Sequence, residues 1–290
     1  MPRVAILADV HGNLPALHAV LDDIAEQEVD EVLVGGDLVG RGPQGSAVVA
    51  EIAATGWPSV RGNHEDYLLS FRRREVPSDW LTSDEWAAVR WMADELDEAA
   101  IDYISALPLT LVSKAAPEVR LVHGTPASNN DGIGPWNSRD QIADHLQAVD
   151  EPVLVCCHTH RPLLERFDDG LVVNVGSVGL PFNGDPRAQY AIVSAGGNGR
   201  DVEFRQVAYE RARLLEIYDS SGFRAAGGVT AALLELEIEH AAPYLVPFMH
   251  WATLTGRPRH DSALASFLDD YDHSESMRDF FTRVKAASAT

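Results

Sequence analysis

The first sixty residues alternate between short apolar runs and longer amphipathic runs. Three strand-like runs enclose two helix-like runs, in the order Val4–Val10, Leu14–Ala25, Glu31–Gly36, Pro43–Thr55 and Ser59–Arg61. In the first helix-like run, leucine and isoleucine recur at helical spacing, with Asn13 as the expected N-cap and Pro15 tolerated in the first turn. The pattern predicts a βαβαβ opening and therefore parallel strands.

The segment from Pro77 to Leu107 carries a different pattern. Residues Thr82 to Glu85 have the form of a capping box and predict a helix start. One face of that helix is apolar, with Trp86, Val89, Ala93 and Leu96. This favours a helix packed on the core. The alternative is that the segment partly caps a site. Its aromatic rings would then stack on a nucleoside or other aromatic group: Trp80, Trp86 and Trp91.

Strand-like runs return after residue 150. Val153–Cys157 is a continuous apolar run of the kind buried in a sheet. Two further pairs of runs flank turn-forming residues, the first pair around Asp168-Asp169-Gly170 and the second around a turn containing Asn198-Gly199. They predict two hairpins, Leu164–Phe167 with Leu171–Val175 and Tyr190–Ser194 with Val202–Val207.

From about Tyr209 the pattern becomes helical. The helix-like runs are Glu210–Tyr218, Thr230–His240, Leu245–Leu254 and Asp261–Lys285. We therefore predict a first domain over residues 1–208 and a helical C-terminal extension over residues 209–290. Whether this extension packs on the first domain, dimerises the chain or gates access to a site stays open. Its histidines lack metal-ligand spacing and are interpreted as isolated residues: His240, His250, His260 and His273.

Composition narrows the classes of partner. The chain has 290 residues, 46% of them hydrophobic, which is enough to bury a sizeable core. It carries 44 acidic and 23 basic residues, a formal net charge of −21. A surface of that sign repels the phosphate backbone, so no long nucleic acid is expected as a partner.

Membrane insertion and secretion are not expected. No apolar run has the length of a membrane span, and the chain enters its first strand-like run at Val4 without a signal peptide. Cys156 and Cys157 are adjacent in a predicted strand and point to opposite faces, which disfavours a disulfide between them. We expect a reducing, cytoplasmic location.

Histidines clustered with carboxylate or amide residues stand at the predicted strand ends. The clusters are Asp9-Val10-His11, Gly36-Asp37, Gly62-Asn63-His64-Glu65, His123-Gly124 and Cys157-His158-Thr159-His160. Parallel strands would bring these ends to one crevice. Carboxylate and imidazole ligands suit Mn, Fe or Zn, and one carboxylate can bridge two cations. The set predicts a two-metal site with Asp37 as the bridge.

Each cluster alone has a simpler interpretation. Asp-x-His occurs at strand ends by chance, and the Gly-Asn-His-Glu turn could only start a helix, with Asn63 as its cap. The His158-Thr159-His160 spacing does place both imidazoles on one side of an extended segment. The ordered set decides for the metal site, because several weak matches rarely fall in this order by accident.

The ordered set D-x-H, G-D, G-N-H-D/E, H and G-H-x-H resembles the calcineurin-like metallophosphoesterase superfamily over about the first two hundred residues. The segments DVHGNLPALHAVL, GGDLVGRGP, HGTP, HTHRP and NVGSVGLPFNGDPRAQYAIV are similar to its bacterial and archaeal phosphodiesterases. Cys157 departs from the glycine usual in the family. The resemblance implies an α/β fold, a four-layer αββα sandwich of two mixed sheets flanked by helices, here with a helical C-terminal appendage.

The resemblance also implies roles for individual residues. One metal would be held by Asp9, His11, Asp37 and His160, and the other by Asp37, Asn63, His123 and His158. His64 would be free of metal and would donate a proton or contact the phosphate beside Asn63. Two divalent transition-metal ions, with Mn favoured over Fe, Zn or Ni, would clamp the phosphoryl group and supply a metal-bound hydroxide.

Arg41 lies where the related Ser/Thr protein phosphatases carry a phosphate-binding arginine. A guanidinium can bind phosphate oxygens with two hydrogen bonds, and the alternative is a surface ion pair. Asn174, Gly176 and Ser177 are interpreted as residues that shape the loop beside the metals.

These observations predict a metal-dependent phosphoesterase that acts as a phosphodiesterase on a small nucleotide-like ester. The first alternative is a phosphomonoesterase, including a Ser/Thr-type protein phosphatase. A second alternative is a noncatalytic metal-binding scaffold, against which the complete ligand set and His64 argue. A homo-oligomer built through the C-terminal helices is left open.

Overall fold

The computed structural model describes residues 1–196 and 199–288. Its strands are β1 Arg3–Leu7, β2 Glu31–Val34, β3 Thr110–Val112, β4 Val119–Val122, β5 Val153–Cys156, β6 Leu163–Arg166, β7 Leu171–Asn174, β8 Ala188–Gly196 and β9 Gly199–Val207. Its helices are α1 Leu14–Ala25, α2 Gly45–Thr55, α3 Asn63–Arg72, α4 Ala87–Glu95, α5 Glu98–Ala106, α6 Arg139–Gln147, α7 Arg211–Ser220, α8 Phe223–His240, α9 Leu245–Thr255, α10 Asp261–Asp270 and α11 Met277–Ser288.

Two mixed sheets face each other. The first has the order β2-β1-β8-β9, with β1 and β2 parallel, and the second has the order β3-β4-β5-β7-β6, with β4, β5 and β7 parallel. One apolar core fills the space between the sheets, and two others lie under the helices on their outer faces. The predicted αββα sandwich is confirmed.

The opening follows the prediction up to its third strand. Helix α1 has the predicted bounds, and the Asn13 side chain caps it by accepting the Ala16 amide at 3.1 Å. The predicted strand Ser59–Arg61 is wrong, because the segment forms only a single parallel bridge between Ser59 and Val34. The Arg61 amide instead donates to the Pro108 carbonyl, and α3 starts two residues later.

The segment of residues 77–107 packs mainly on the core. The helix predicted from the capping box begins as a 3₁₀ turn, Asp84–Trp86, and continues as α4, whose Ala88, Met92 and Ala93 are buried. Trp80 and Trp86 stack on each other with centroids 3.9 Å apart, and Trp91 packs on Phe223. The core-packed interpretation therefore holds for most of the segment.

Both predicted hairpins form, as β6 with β7 and β8 with β9. Asn198, predicted in the second turn, lies outside the described residues. The single helical stretch predicted over Asp261–Lys285 is wrong. Two helices form there because the backbone becomes extended at Tyr271, and Asp272 then accepts the Ser274 amide in a turn.

The C-terminal extension is in contact with the catalytic part of the chain. Leu214 and Tyr218 of α7 and Leu234 of α8 belong to the same core as α1 and the first sheet. A separate core is formed by α9, α10 and α11, with Trp251 and Phe267 at its centre. The boundary between residues 208 and 209 stays a prediction. Among the described residues, no helix combines the length and apolarity needed to span a membrane.

Candidate metal centre

The predicted site residues meet where strands of both sheets end. Asp9 and His11 follow β1, Asp37 follows β2, His123 follows β4, and His158 and His160 follow β5, while Asn63 opens α3. Because β1 and β2 belong to one sheet and β4 and β5 to the other, the site closes one end of the sandwich. The carboxylates and most of the imidazoles are almost fully buried there: Asp9, His11, Asp37, His123 and His160.

The side chains form two groups that share Asp37. In the first group, possible ligand atoms of Asp9, His11, Asp37 and His160 lie within 4.8 Å of one another, and the same holds for Asp37, His123 and His158 in the second. The Asp37 carboxylate oxygen Oδ2 lies 3.6 Å from His11 Nε2 and 3.4 Å from His123 Nε2. Asp37 thus faces both groups.

Asn63 belongs with the second group. Its Oδ1 lies 3.0 Å from His123 Nε2 and 2.9 Å from His158 Nδ1. The structure therefore brings together all seven side chains that the sequence suggested as ligands. Their assignment as ligands stays a proposal.

Three imidazoles are oriented by main-chain carbonyls. The Nδ1 atoms of His11, His123 and His160 face the carbonyl oxygens of Val39, Gly35 and Leu180 at 3.2, 2.8 and 2.5 Å. A proton on Nδ1 leaves the lone pair on Nε2, which points into the site. This arrangement is typical of metal-binding histidines.

The backbone at the site is strained. Among the described residues, eight non-glycine residues have positive φ, and six of them belong to the site: Asp9, His11, Asp37, Arg41, His158 and His160. A left-handed conformation at such residues costs about 1–3 kcal/mol each and persists only where the surroundings impose it. The conformation turns these side chains inward immediately after their strands end.

Charge is concentrated and incompletely compensated. Asp9 Oδ1 is buried without a hydrogen-bond partner, and burial raises the pKa of Asp9 well above its ordinary value. His11 Nε2 and His160 Nε2 face each other at 3.0 Å. Burial lowers the pKa of His123, but the Asp37 carboxylate outweighs this and raises it to about 10. A cation would satisfy these groups and would compete with the proton on His123.

Glu65 holds the loop that carries Asp37. It is fully buried, and its carboxylate accepts the amides of Asp37, Leu38 and Gly62 at 3.0, 2.7 and 2.7 Å. Gly62 is required here because a Cβ at this position would lie 2.1 Å from Asp37 Oδ1. Sequence analysis did not assign this role to Glu65. The signal that could have indicated it is the third position of α3, a common place for a capping glutamate.

The neighbouring loop is tied to the site by polar side chains. Ser177 Oγ donates to the Asp9 carbonyl at 2.8 Å, and Asn174 Nδ2 donates to the Cys157 carbonyl at 2.7 Å. Both contacts agree with the shaping role expected from sequence. Cys157, the departure from the family pattern, is fully buried, and the turn that carries His158 still forms.

Arg41 reaches the site and is held there by the C-terminal extension. Its guanidinium donates to the buried Glu237 carboxylate at 3.1 Å and lies 3.3 Å from His64 Nε2. The other Glu237 oxygen accepts the amides of Tyr244 and Leu245, both at 2.8 Å. Arg41 thus forms an ion pair, but a buried one beside the candidate metal ligands. Sequence gave no signal for Glu237.

His64 faces Arg41 as an acceptor. Burial lowers the pKa of His64 to about 4, since the opposing effect of Asp37 is smaller and the Arg41 charge acts in the same direction as burial. Its imidazole is therefore neutral in this arrangement, and its backbone amide donates to Asp37 Oδ1 at 2.9 Å.

A cavity of about 550 Å³ lies over the site. Its floor includes Asn63, His64 and His158, and its walls come from α4 and from the C-terminal helices. Of the three tryptophans of residues 77–107, only Trp86 lines it. The alternative interpretation of that segment as a partial cap therefore applies to this one ring.

Comparison with known proteins gives one family. The sequence model of the calcineurin-like phosphoesterase superfamily domain matches residues 3–198. Phosphodiesterase YfcE of Escherichia coli K12 is 26% identical over 195 residues, which cover 67% of this chain and 88% of YfcE.

Two solved structures extend the likeness beyond that domain. A metallophosphoesterase of Sphaerobacter thermophilus is 28% identical, with a TM-score of 0.67 over 83% of this chain and 99% of its own. A hypothetical protein of Pyrococcus horikoshii, 22% identical with a TM-score of 0.70, covers 84% of this chain and all of its own, and shows the same fold.

Asp37→Asn should remove more bound metal than Asn63→Ala. Asp37 belongs to both groups and carries charge, whereas Asn63 belongs to one and is neutral, so we expect the native protein to hold about two ions per chain and the Asp37 variant the fewest. Elemental analysis of purified protein measures this, with the exposed Asp22→Asn as control. Full occupancy in Asp37→Asn would contradict the bridging assignment.

Glu237→Ala should destabilise the fold by about 3–5 kcal/mol, because it leaves the Arg41 charge buried and two amides without an acceptor. Denaturant unfolding measures the change. Glu239→Ala is the matched control, since Glu239 lies on the same helix with its side chain exposed. Equal midpoints for the two variants would show that the Arg41–Glu237 pair contributes nothing.

Proposed function

Because the chain belongs to the calcineurin-like phosphoesterase superfamily, and is thereby a metal-dependent hydrolase of phosphate esters, we propose that it is a phosphodiesterase acting on a compact, nucleotide-like ester. The observation that carries the proposal is the pair of ligand groups sharing Asp37. The name of the E. coli relative supports the diesterase assignment.

The residues present fit a dinuclear metal site. A cation would satisfy together the unpartnered Asp9 Oδ1 and the facing imidazole nitrogens of His11 and His160. Asp9, His11, Asp37 and His160 would hold one ion, and Asp37, Asn63, His123 and His158 the other. Mixed carboxylate, amide and imidazole donors favour Mn, with Fe, Zn or Ni as alternatives. Two such ions supply Lewis acidity toward phosphoryl oxygens and water.

The protein side chains bind and orient the ester. Arg41, held by Glu237, donates to phosphate oxygens from the rim of the site. Asn63 and His64 contact the phosphoryl group from the start of α3, where the helix dipole favours an anion. Asp37 fixes the His64 backbone through its Oδ1 and so sets the position of the imidazole.

His64 transfers a proton to the leaving oxygen in this proposal. For this the neutral imidazole first takes up a proton from solvent, as the substrate replaces its contact with Arg41, and then gives that proton to the leaving oxygen. The second role compatible with its position is direct binding of the phosphate.

The setting of the enzyme is proposed from composition and burial. Both cysteines are free and buried, which fits a reducing cytoplasm. The net charge of −21 disfavours long nucleic acids, so the substrate is small. Oligomerisation through the C-terminal helices stays an open alternative.

A substrate panel tests the proposed activity. The Mn-loaded protein should hydrolyse bis-nitrophenyl phosphate and at least one cyclic or dinucleotide substrate, with little activity on long DNA or RNA. Arg41→Ala should lower monoester hydrolysis more than diester hydrolysis, because a monoester dianion presents more charge to the guanidinium.

A preference for mononucleotides or phosphopeptides would refute the diesterase assignment. The threshold is about tenfold in kcat/KM, equivalent to about 1.4 kcal/mol of transition-state discrimination. In that case the phosphomonoesterase alternative, which the presence of Arg41 in the site favours, takes its place.

His64→Ala should keep its metals and lose about 10²–10⁴-fold in kcat on esters with poor leaving groups, because such groups need a proton as they depart. Nitrophenyl esters should lose less. Rates across a leaving-group series, with the exposed His18→Ala as control, measure this. A uniform loss would assign His64 to phosphate binding.

A further inference from the structure

The cavity over the site is larger than a phosphate needs. Its volume of about 550 Å³ falls in the range of pockets that enclose whole small molecules. Only its floor consists of site residues. The remaining space is enclosed by side chains that have no part in the proposed metal chemistry.

The walls of the cavity are apolar. Val89 and Met92 of α4 form part of one wall, and Leu234, Leu245 and Val246 of the C-terminal extension form part of another. At the rim, Tyr67, Trp136 and Val246 are 44%, 62% and 41% exposed. They are three of the six exposed large hydrophobic residues in the described part of the chain. An apolar group on the substrate would cover them.

Arg161 is the second cation of the cavity. In contrast to Arg41, its guanidinium has no hydrogen bond, ion pair or ring contact with any of the residues that the structure describes. Burial lowers the pKa of Arg161 below its ordinary value, yet an arginine stays charged at neutral pH. Arg161 follows His160 in the chain, and it lines the same cavity as His64 and His158.

No acidic side chain is among the described residues that line the cavity. The chain as a whole has 44 acidic residues against 23 basic ones, so this composition is unlike that of the rest of the molecule. The lining is mostly apolar, with Asn130, Thr159 and Thr230 among its polar residues. A partly buried guanidinium without an acidic partner in such a lining is compensated best by an anion on the ligand.

We propose that the substrate carries, besides the scissile phosphodiester, a flat apolar ring that fills the cavity and a second anionic group that pairs with Arg161. The inference rests on the proposed function and names its substrate class. Dialkyl diesters lack the ring, and cyclic mononucleotides lack the second anion, so both would be poor substrates.

Two esters that differ in one phosphate test the second anion. Thymidine 5′-(p-nitrophenyl phosphate) and its 3′-phosphorylated form share base, sugar, reacting phosphate and leaving group. With the Mn-loaded full chain, we expect kcat/KM for the 3′-phosphorylated ester to be at least about tenfold higher, since a hydrogen bond to a charged group is worth about 1.5–3 kcal/mol. In Arg161→Ala the ratio should fall to about one, and in Arg161→Lys to an intermediate value.

Arg213→Ala is the matched control. It removes one positive charge from an exposed ion pair on α7, outside the cavity lining, and should leave the ratio as in the native chain. A ratio near one in the native chain, or an unchanged ratio in Arg161→Ala, would overturn the proposal. Equal losses on both esters in Arg161→Ala would also overturn it, because they would assign Arg161 to the reacting phosphate.

A binding measurement separates this proposal from the proposed activity. Calorimetric titration with thymidine 5′-phosphate and thymidine 3′,5′-bisphosphate should show an affinity advantage for the bisphosphate that Arg161→Ala removes. If neither nitrophenyl ester is hydrolysed, the diesterase assignment fails, and this titration alone decides on Arg161. Absence of the advantage in the native chain overturns the proposal.

The apolar wall is tested at Val246. Val246→Glu should lower kcat/KM for the thymidine ester relative to methyl p-nitrophenyl phosphate, because it places charge where the ring packs. Leu268→Glu is the control, since Leu268 is 39% exposed, lies on α10 and does not line the cavity. Equal effects of the two substitutions would refute a ring-binding role for the wall.

Discussion

Burial of several carboxylates at one end of the sandwich is the constraint on which the site depends. Glu65 is satisfied by three backbone amides, and Asp37 lies between imidazoles, but Asp9 keeps one oxygen without a partner. An uncompensated buried carboxylate is unfavourable by several kcal/mol, so the local structure is complete only with cations. The strained backbone at the strand ends follows from the same demand, because only inward-turned side chains can share those cations.

The C-terminal extension contributes residues to the candidate site, which lies at the ends of the two sheets. Glu237 joins the start of α9 to Arg41, and Leu234 of the same helix lines the cavity. Helix α8 is kinked at Gly228, where φ is +52°, and both residues lie beyond the kink. The C-terminal helices therefore form a wall of the cavity as well as a packing layer.

The metal groups could be predicted from sequence because four of the five clusters follow a strand, and parallel strands bring their ends together. Helix α1 was predictable for a local reason too, its Asn13 cap. The Arg41–Glu237 pair could not be predicted, because 196 positions separate the two residues and nothing in the sequence around either one indicates the contact. The missing third strand depends on a backbone hydrogen bond from Arg61 to Pro108, 47 positions along the chain, for which the sequence has no local signal either.

The two adjacent cysteines lie in different cores. Cys157 belongs to the core between the sheets, with Sγ so close to Gly35 that a Cβ there would lie 2.3 Å away, and Cys156 belongs to the core under α6. Burial raises the pKa of Cys156 to about 12 and that of Cys157 well above its ordinary value. Both thiols are therefore inert toward alkylation in the folded chain. A thiol-modifying reagent would reach either cysteine only when β5 and the residues after it unfold locally. The two modification rates would therefore measure, in the two cores, how often the segment that carries His158 and His160 opens.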